Sequence, residues 1–119
     1  MTEQLKILVV EDDYLVLLGT VSMLSSSGHT VLQATSGPEA LGIMRETADI
    51  DVVLTDQKMP DMTGIELAEL LHEQGSQVPV ILVTGYSDIA EEEHPAIAAC
   101  LVKPYSSKAL NDVFARLFG

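Results

Sequence analysis

Ile7-Leu8-Val9-Val10 runs apolar without a break and stops at three acids, Glu11-Asp12-Asp13. The same grammar returns twice. Val52-Val53-Leu54 leads to Asp56, and Val80-Ile81-Leu82-Val83 leads to Thr84-Gly85. A run apolar at every position suits a parallel strand whose two faces are both covered by helices. Two weaker runs complete the set: Thr30-Val31-Leu32-Gln33-Ala34, which alternates partly and suits an edge, and Ala98-Ala99-Cys100-Leu101-Val102, which ends at Lys103-Pro104.

Between the runs the apolar period changes to about 3.6 residues. Tyr14, Leu17, Leu18, Val21 and Leu24 are expected on one helical face, closed by Ser25-Ser26-Ser27-Gly28. Ser36-Gly37-Pro38-Glu39 opens a second helix, with Pro38 in its first turn. Thr63-Gly64 opens a third, stopped at Gly75, and Ser87-Asp88 begins a short acidic one, Glu91-Glu92-Glu93, that Pro95 ends. Ser106 or Ser107 caps a last helix whose apolar side is Leu110, Val113, Phe114 and Leu117. Five strand–helix pairs imply an α/β fold with a parallel sheet and right-handed crossovers.

Composition bounds the rest. The 119 residues make one domain's worth of chain, 47% of them hydrophobic and 20% charged, as in a globular protein. Six Lys and Arg stand against 18 Asp and Glu, a formal charge of −12. That balance argues against nucleic acid or an anionic membrane surface as a partner. The single cysteine, Cys100, excludes an internal disulfide and fits a cytoplasmic location, and Met1-Thr2-Glu3-Gln4 does not open a signal peptide.

In an open parallel sheet, ligands bind beyond the carboxyl ends of the strands. There the sequence places Glu11-Asp12-Asp13, Asp56, Thr84-Gly85 and Lys103-Pro104. Two carboxylates about 4 Å apart repel by about 4 kcal/mol at an effective dielectric near 20. Protons, Lys103 or a hard divalent cation must therefore neutralise the cluster. All-oxygen donors suit Mg²⁺, with Mn²⁺ as the alternative.

These motifs resemble the receiver domain of two-component response regulators: Val9-Val10-Glu11-Asp12-Asp13, Leu54-Thr55-Asp56 through Gly64, Val83-Thr84-Gly85 and Val102-Lys103-Pro104. The resemblance covers the whole chain. It implies a single-domain, flavodoxin-like (βα)5 three-layer sandwich with strand order 2-1-3-4-5. It also implies that Asp56 accepts a phosphoryl group from a histidine kinase or a histidine phosphotransfer protein. Asp12 and Asp56 would hold Mg²⁺ with the main-chain carbonyl of Lys58, and Glu11 would act through a metal-bound water. Thr84 and Lys103 would contact the phosphoryl oxygens, and the bond before Pro104 would be cis. Asp13 reads as a helix N-terminal acid.

Three positions depart from the pattern. Cys100 stands where many receivers carry a Tyr or Phe that moves with the threonine. Tyr86, beside Gly85, is a candidate replacement for it. Lys58 and Tyr86 occupy positions that line the approach of water to the acyl phosphate, and are expected to slow its hydrolysis. Output is expected through protein contacts on the face of the fourth and fifth helices, with no effector domain and no external substrate turned over. Two alternatives remain: a phosphatase with an aspartate nucleophile, against which Lys58 stands where a second acid is needed, and an unphosphorylated pseudo-receiver scaffold.

Overall fold

The computed structural model describes residues 4–85 and 94–119. Five parallel strands, β1 (Lys6–Val10), β2 (Thr30–Ala34), β3 (Val52–Asp56), β4 (Val80–Thr84) and β5 (Ala99–Val102), form one sheet in the order β2-β1-β3-β4-β5. Helices α1 (Tyr14–Ser26), α2 (Gly37–Glu46), α3 (Gly64–Glu73) and α4 (Ser107–Phe118) complete the described elements. The acidic helix expected between Ser87 and Pro95 falls almost wholly on residues 86–93, outside the described residues.

The all-apolar strands are buried on both faces because each alternates its side chains between two cores. Leu8, Val10, Val53 and Leu82 pack with Ala40 and Leu41 of α2 and with Leu67, Ala68 and Leu71 of α3. Ile7, Val9, Val52, Leu54, Ile81 and Val83 pack on the opposite face with Leu17 and Leu24 of α1 and with Leu110 and Phe114 of α4. Every residue of β3 and β4 is buried, whereas the edge strand β2 is mostly open, as its partial alternation predicts.

Each helix starts where a short polar side chain satisfies orphan backbone donors. Asp13 accepts from the N–H groups of Leu15 and Val16 at the head of α1. Ser36 accepts from Glu39 N–H, and Ser106 from Ala109 N–H. Thr63 and Glu66 form a reciprocal capping box at α3.

One helix departs from its expected face. Leu17 and Leu24 of α1 are buried and Val21 packs against the same core, but Tyr14 and Leu18 point outward, 62% and 41% exposed. The inward side is Leu17, Val21 and Leu24, with Met23 packed beside them. Leu15, at 79%, and Val16, at 42%, add to the exposed apolar surface.

Candidate functional site

Parallel register brings the strand ends to one edge of the sheet. Val10 lies beside Thr55, Asp56 beside Val83, and Thr84 beside Val102. Backbone bonds continue past the strands and fix the loops that follow. Glu11 N–H donates to Ala34 C=O (3.0 Å), Gln57 N–H to Val83 C=O (2.9 Å) and Lys103 N–H to Thr84 C=O (2.8 Å). The residues that carry chemistry thus start from anchored main chain.

Carboxylate oxygens of Glu11, Asp12 and Asp56 all lie within 4.8 Å of one another. Glu11 and Asp56 are buried, and Asp12 is exposed at the mouth. Lys103 Nζ reaches across from the end of β5, 3.0 Å from Asp56 Oδ1 and 3.4 Å from Glu11 Oε1. Burial alone would lower the Lys103 pKa, but the carboxylates of Asp56 and Glu11 outweigh it and hold the ammonium above its ordinary value. Glu11 is raised, first by burial; the Asp13 N–H opposes the rise, the Asp56 charge adds to it and Lys103 pulls it back.

Three acids face one amine, so a net negative charge remains within a few ångströms. The donors are all hard oxygens, one of them open to solvent. That set fits a small divalent cation that keeps part of its water shell, such as Mg²⁺, and does not fit a thiolate- or imidazole-seeking metal. Among the described residues this is the one acidic group with metal-binding spacing.

Lys58, Thr84 and Gly85 line the same open cleft, of about 500 Å³, together with Glu11, Asp12 and Asp56. Thr84 is buried at the end of β4. The Lys103–Pro104 peptide bond is cis. Cys100 is half-buried on β5 and packs toward the α2/α3 side of the sheet. Tyr86 lies outside the described residues.

Sequence reasoning missed what closes the loop after β3. Gly64 N–H donates to Gln57 C=O (3.0 Å) and Ile65 N–H to Gln57 Oε1 (3.0 Å). A Cβ on Gly64 would lie 2.5 Å from the Asp56 carbonyl oxygen, so only glycine allows this approach. Tyr105 was missed as well. It lines a second cavity, of about 370 Å³, between α1 and the turn at Lys103. Burial pushes its hydroxyl above the ordinary range.

A family model described as the response regulator receiver domain matches residues 7–115. The chain belongs to the receiver-domain family. It is 41% identical over 108 residues to the sensor kinase CckA of Brucella abortus, covering 87% of this chain but only 11% of that protein. It is 28% identical to a chemotaxis protein CheY homolog of Campylobacter jejuni, covering 97% of this chain and 93% of that protein. The structure of the response regulator TrrA of Thermotoga maritima, in complex with Mg²⁺ and BeF, superposes with a TM-score of 0.87. It is 26% identical, over 97% of this chain and 100% of that one. Receiver domains are signalling modules that bind Mg²⁺ at an acidic site and accept phosphoryl groups from histidine kinases or phosphotransfer proteins. No helix among the described residues is long and apolar enough to cross a membrane.

Proposed function

We propose that Asp56 is the phosphoacceptor of this receiver domain and that phosphorylation changes its contacts with a protein partner. A carboxylate oxygen of Asp56 attacks phosphorus, the P–N bond to the donor imidazole breaks, and its electron pair stays on the imidazole. Such a transfer asks mainly for positioning and charge neutralisation. The observation that carries the reading is the 3.0 Å contact of Lys103 Nζ with Asp56 Oδ1, inside a cluster of three carboxylates.

Each residue's task follows from its place. Glu11, Asp12 and Asp56, with the carbonyl of Lys58, would hold Mg²⁺, which supplies positive charge beside the phosphoryl oxygens when bound. The Lys103 ammonium neutralises a second side of the same group. Thr84, buried at the end of β4, and the N–H of Gly85 supply further donors. The aspartyl phosphate carries nearly two negative charges, which favour a rearrangement of the loops bearing Thr84 and Lys103. We assign the output to a protein partner at the face that carries α4. No external substrate is turned over, one receiver domain spans the chain, and the reading carries a cytoplasmic location with it. Lys58, exposed where a phosphatase would need its second acid, tells against an enzyme with an aspartate nucleophile.

Incubation with acetyl phosphate and Mg²⁺, followed by intact-mass measurement, tests the reading. One added phosphoryl group, absent in Asp56→Asn and after chelation of the metal, is expected; an unmodified wild-type protein would overturn it.

A further inference from the structure

Gln57 directly follows Asp56 and is bonded in three directions. Its N–H donates to Val83 C=O at 2.9 Å, which ties it to β4. Its C=O accepts from Gly64 N–H and its side-chain Oε1 from Ile65 N–H, each at 3.0 Å. Gly64 and Ile65 open α3, so one residue satisfies two of that helix's orphan donors. The capping box serves the same helix end separately, Glu66 N–H donating to Thr63 Oγ1 at 3.1 Å.

The two bonds to α3 close the neck of loop 58–63. One bond there would act as a pivot. Two bonds to neighbouring N–H groups, one from the main chain and one from the side chain, also fix the angle. The loop is held again just past its first residue, where Met59 is buried against the α2/α3 core. Lys58, the carbonyl ligand of the proposed site, lies between these anchors and lines the acidic cleft beside Gln57. Its main chain therefore has little freedom to move relative to Asp56.

Such rigidity bears on which ion fits. Mg²⁺ demands near-octahedral oxygens at about 2.0–2.1 Å, whereas Ca²⁺ accepts oxygens at about 2.3–2.6 Å in irregular geometry. The charge of Glu11, Asp12 and Asp56 draws either ion. A carbonyl held in one place discriminates between them, and the groups that hold a ligand tune the metal it takes. We infer that Gln57 is a positioning residue that makes the acidic site selective for Mg²⁺ over Ca²⁺: its bond to Ile65 holds the loop bearing the Lys58 carbonyl. The inference rests on the reading of the acidic cleft as a metal site, and it assigns the selectivity to a residue that acts through the loop.

Titrations of the unphosphorylated protein with MgCl₂ and with CaCl₂, followed through its amide resonances, give a dissociation constant for each ion. Gln57→Met keeps the length of the side chain and removes the acceptor. Loss of a hydrogen bond of ordinary net strength corresponds to Mg²⁺ binding weakened by about 3- to 10-fold, with Ca²⁺ binding within about twofold of wild type. Gln57→Ala, which removes the acceptor without adding bulk, should narrow the preference for Mg²⁺ in the same way. Gln57→Glu keeps an oxygen on the Ile65 N–H; its added charge strengthens both ions, so the ratio of the two constants should stay within about twofold of wild type. Thr63→Val removes the neighbouring cap and should lower the urea midpoint, yet leave that ratio within about twofold of wild type. A wild-type ratio in Gln57→Met and Gln57→Ala, or a ratio shifted as far in Gln57→Glu or Thr63→Val, would overturn the inference. A wild-type protein that binds neither ion would instead defeat the reading of the acidic cleft.

Discussion

Lys103 Nζ lies 3.0 Å from Asp56 Oδ1 and 3.4 Å from Glu11 Oε1, one ammonium between two buried carboxylates that leave different strands. The pairing compensates part of the cost of burying both acids, and it places the cation where a phosphoryl group on Asp56 would need one. Removing a partner from such a pair leaves the remaining charge desolvated and unmatched.

Lys103→Met keeps most of the stem and removes the charge. Phosphorylation by acetyl phosphate should slow by about 100-fold, the loss typical of a donor aimed at developing charge. Mg²⁺ affinity should rise, because a competing cation leaves the cluster. Calorimetric titration beside the phosphorylation rate checks both; weaker Mg²⁺ binding would show that Lys103 organises the carboxylates instead of opposing the ion.

Asp12→Asn separates repulsion from metal binding. Without divalent ions the variant should melt higher than wild type, since one of three crowded negative charges is gone. With Mg²⁺ at about tenfold excess over its Kd, wild type should gain about 5 °C and the variant much less. Thermal melts with and without Mg²⁺ measure the two effects in one experiment.

Gly64→Ala should strain the loop under Asp56. The new Cβ would sit 2.5 Å from the Asp56 carbonyl oxygen and 2.6 Å from Leu82 Cδ1, neither of which is the free end of an exposed side chain. The overpacking should cost about 1–3 kcal/mol by urea denaturation. Phosphorylation should fall too, because the backbone of Asp56 must shift.

His29 links the start of β1 to the last helix. Its Nδ1 accepts from Leu5 N–H at 2.9 Å, and its ring meets Phe114 edge-on at 5.5 Å. Burial lowers its pKa below 6.5, so the folded protein takes up this proton less readily than the unfolded chain. The stability it contributes is full above about pH 6.5 and is lost as pH falls toward the lowered folded value. Asn at this position offers an oxygen to the same N–H and does not titrate there. Urea midpoints measured from pH 7.5 to 5.5 should therefore fall more steeply for wild type than for His29→Asn; parallel curves would refute the assignment.

What the sequence disclosed depended on how local each signal is. The strands were legible because Ile7–Val10, Val52–Leu54 and Val80–Val83 are apolar at every position, a pattern that double-sided burial requires and few other settings tolerate. Asp56 and Lys103 stood out because a charge ending such a run must lie at the sheet's edge. The face of α1 was misjudged for the opposite reason: from Tyr14 to Leu18 every residue is apolar, so periodicity had nothing to choose between, and packing selected Leu17 alone. The tasks of Gly64 and Gln57 depend on approaches between separate segments. No local pattern carries those.

The most direct test of the account asks where the phosphoryl group sits. After acetyl phosphate and Mg²⁺ treatment, borohydride reduces an aspartyl phosphate to homoserine, which peptide mass spectrometry can locate. The account predicts homoserine in place of Asp56 and at no other acid, with none formed when Mg²⁺ is chelated. Homoserine replacing Asp12 or Asp13, or an intact Asp56 in a protein that has gained a phosphoryl group, would contradict it.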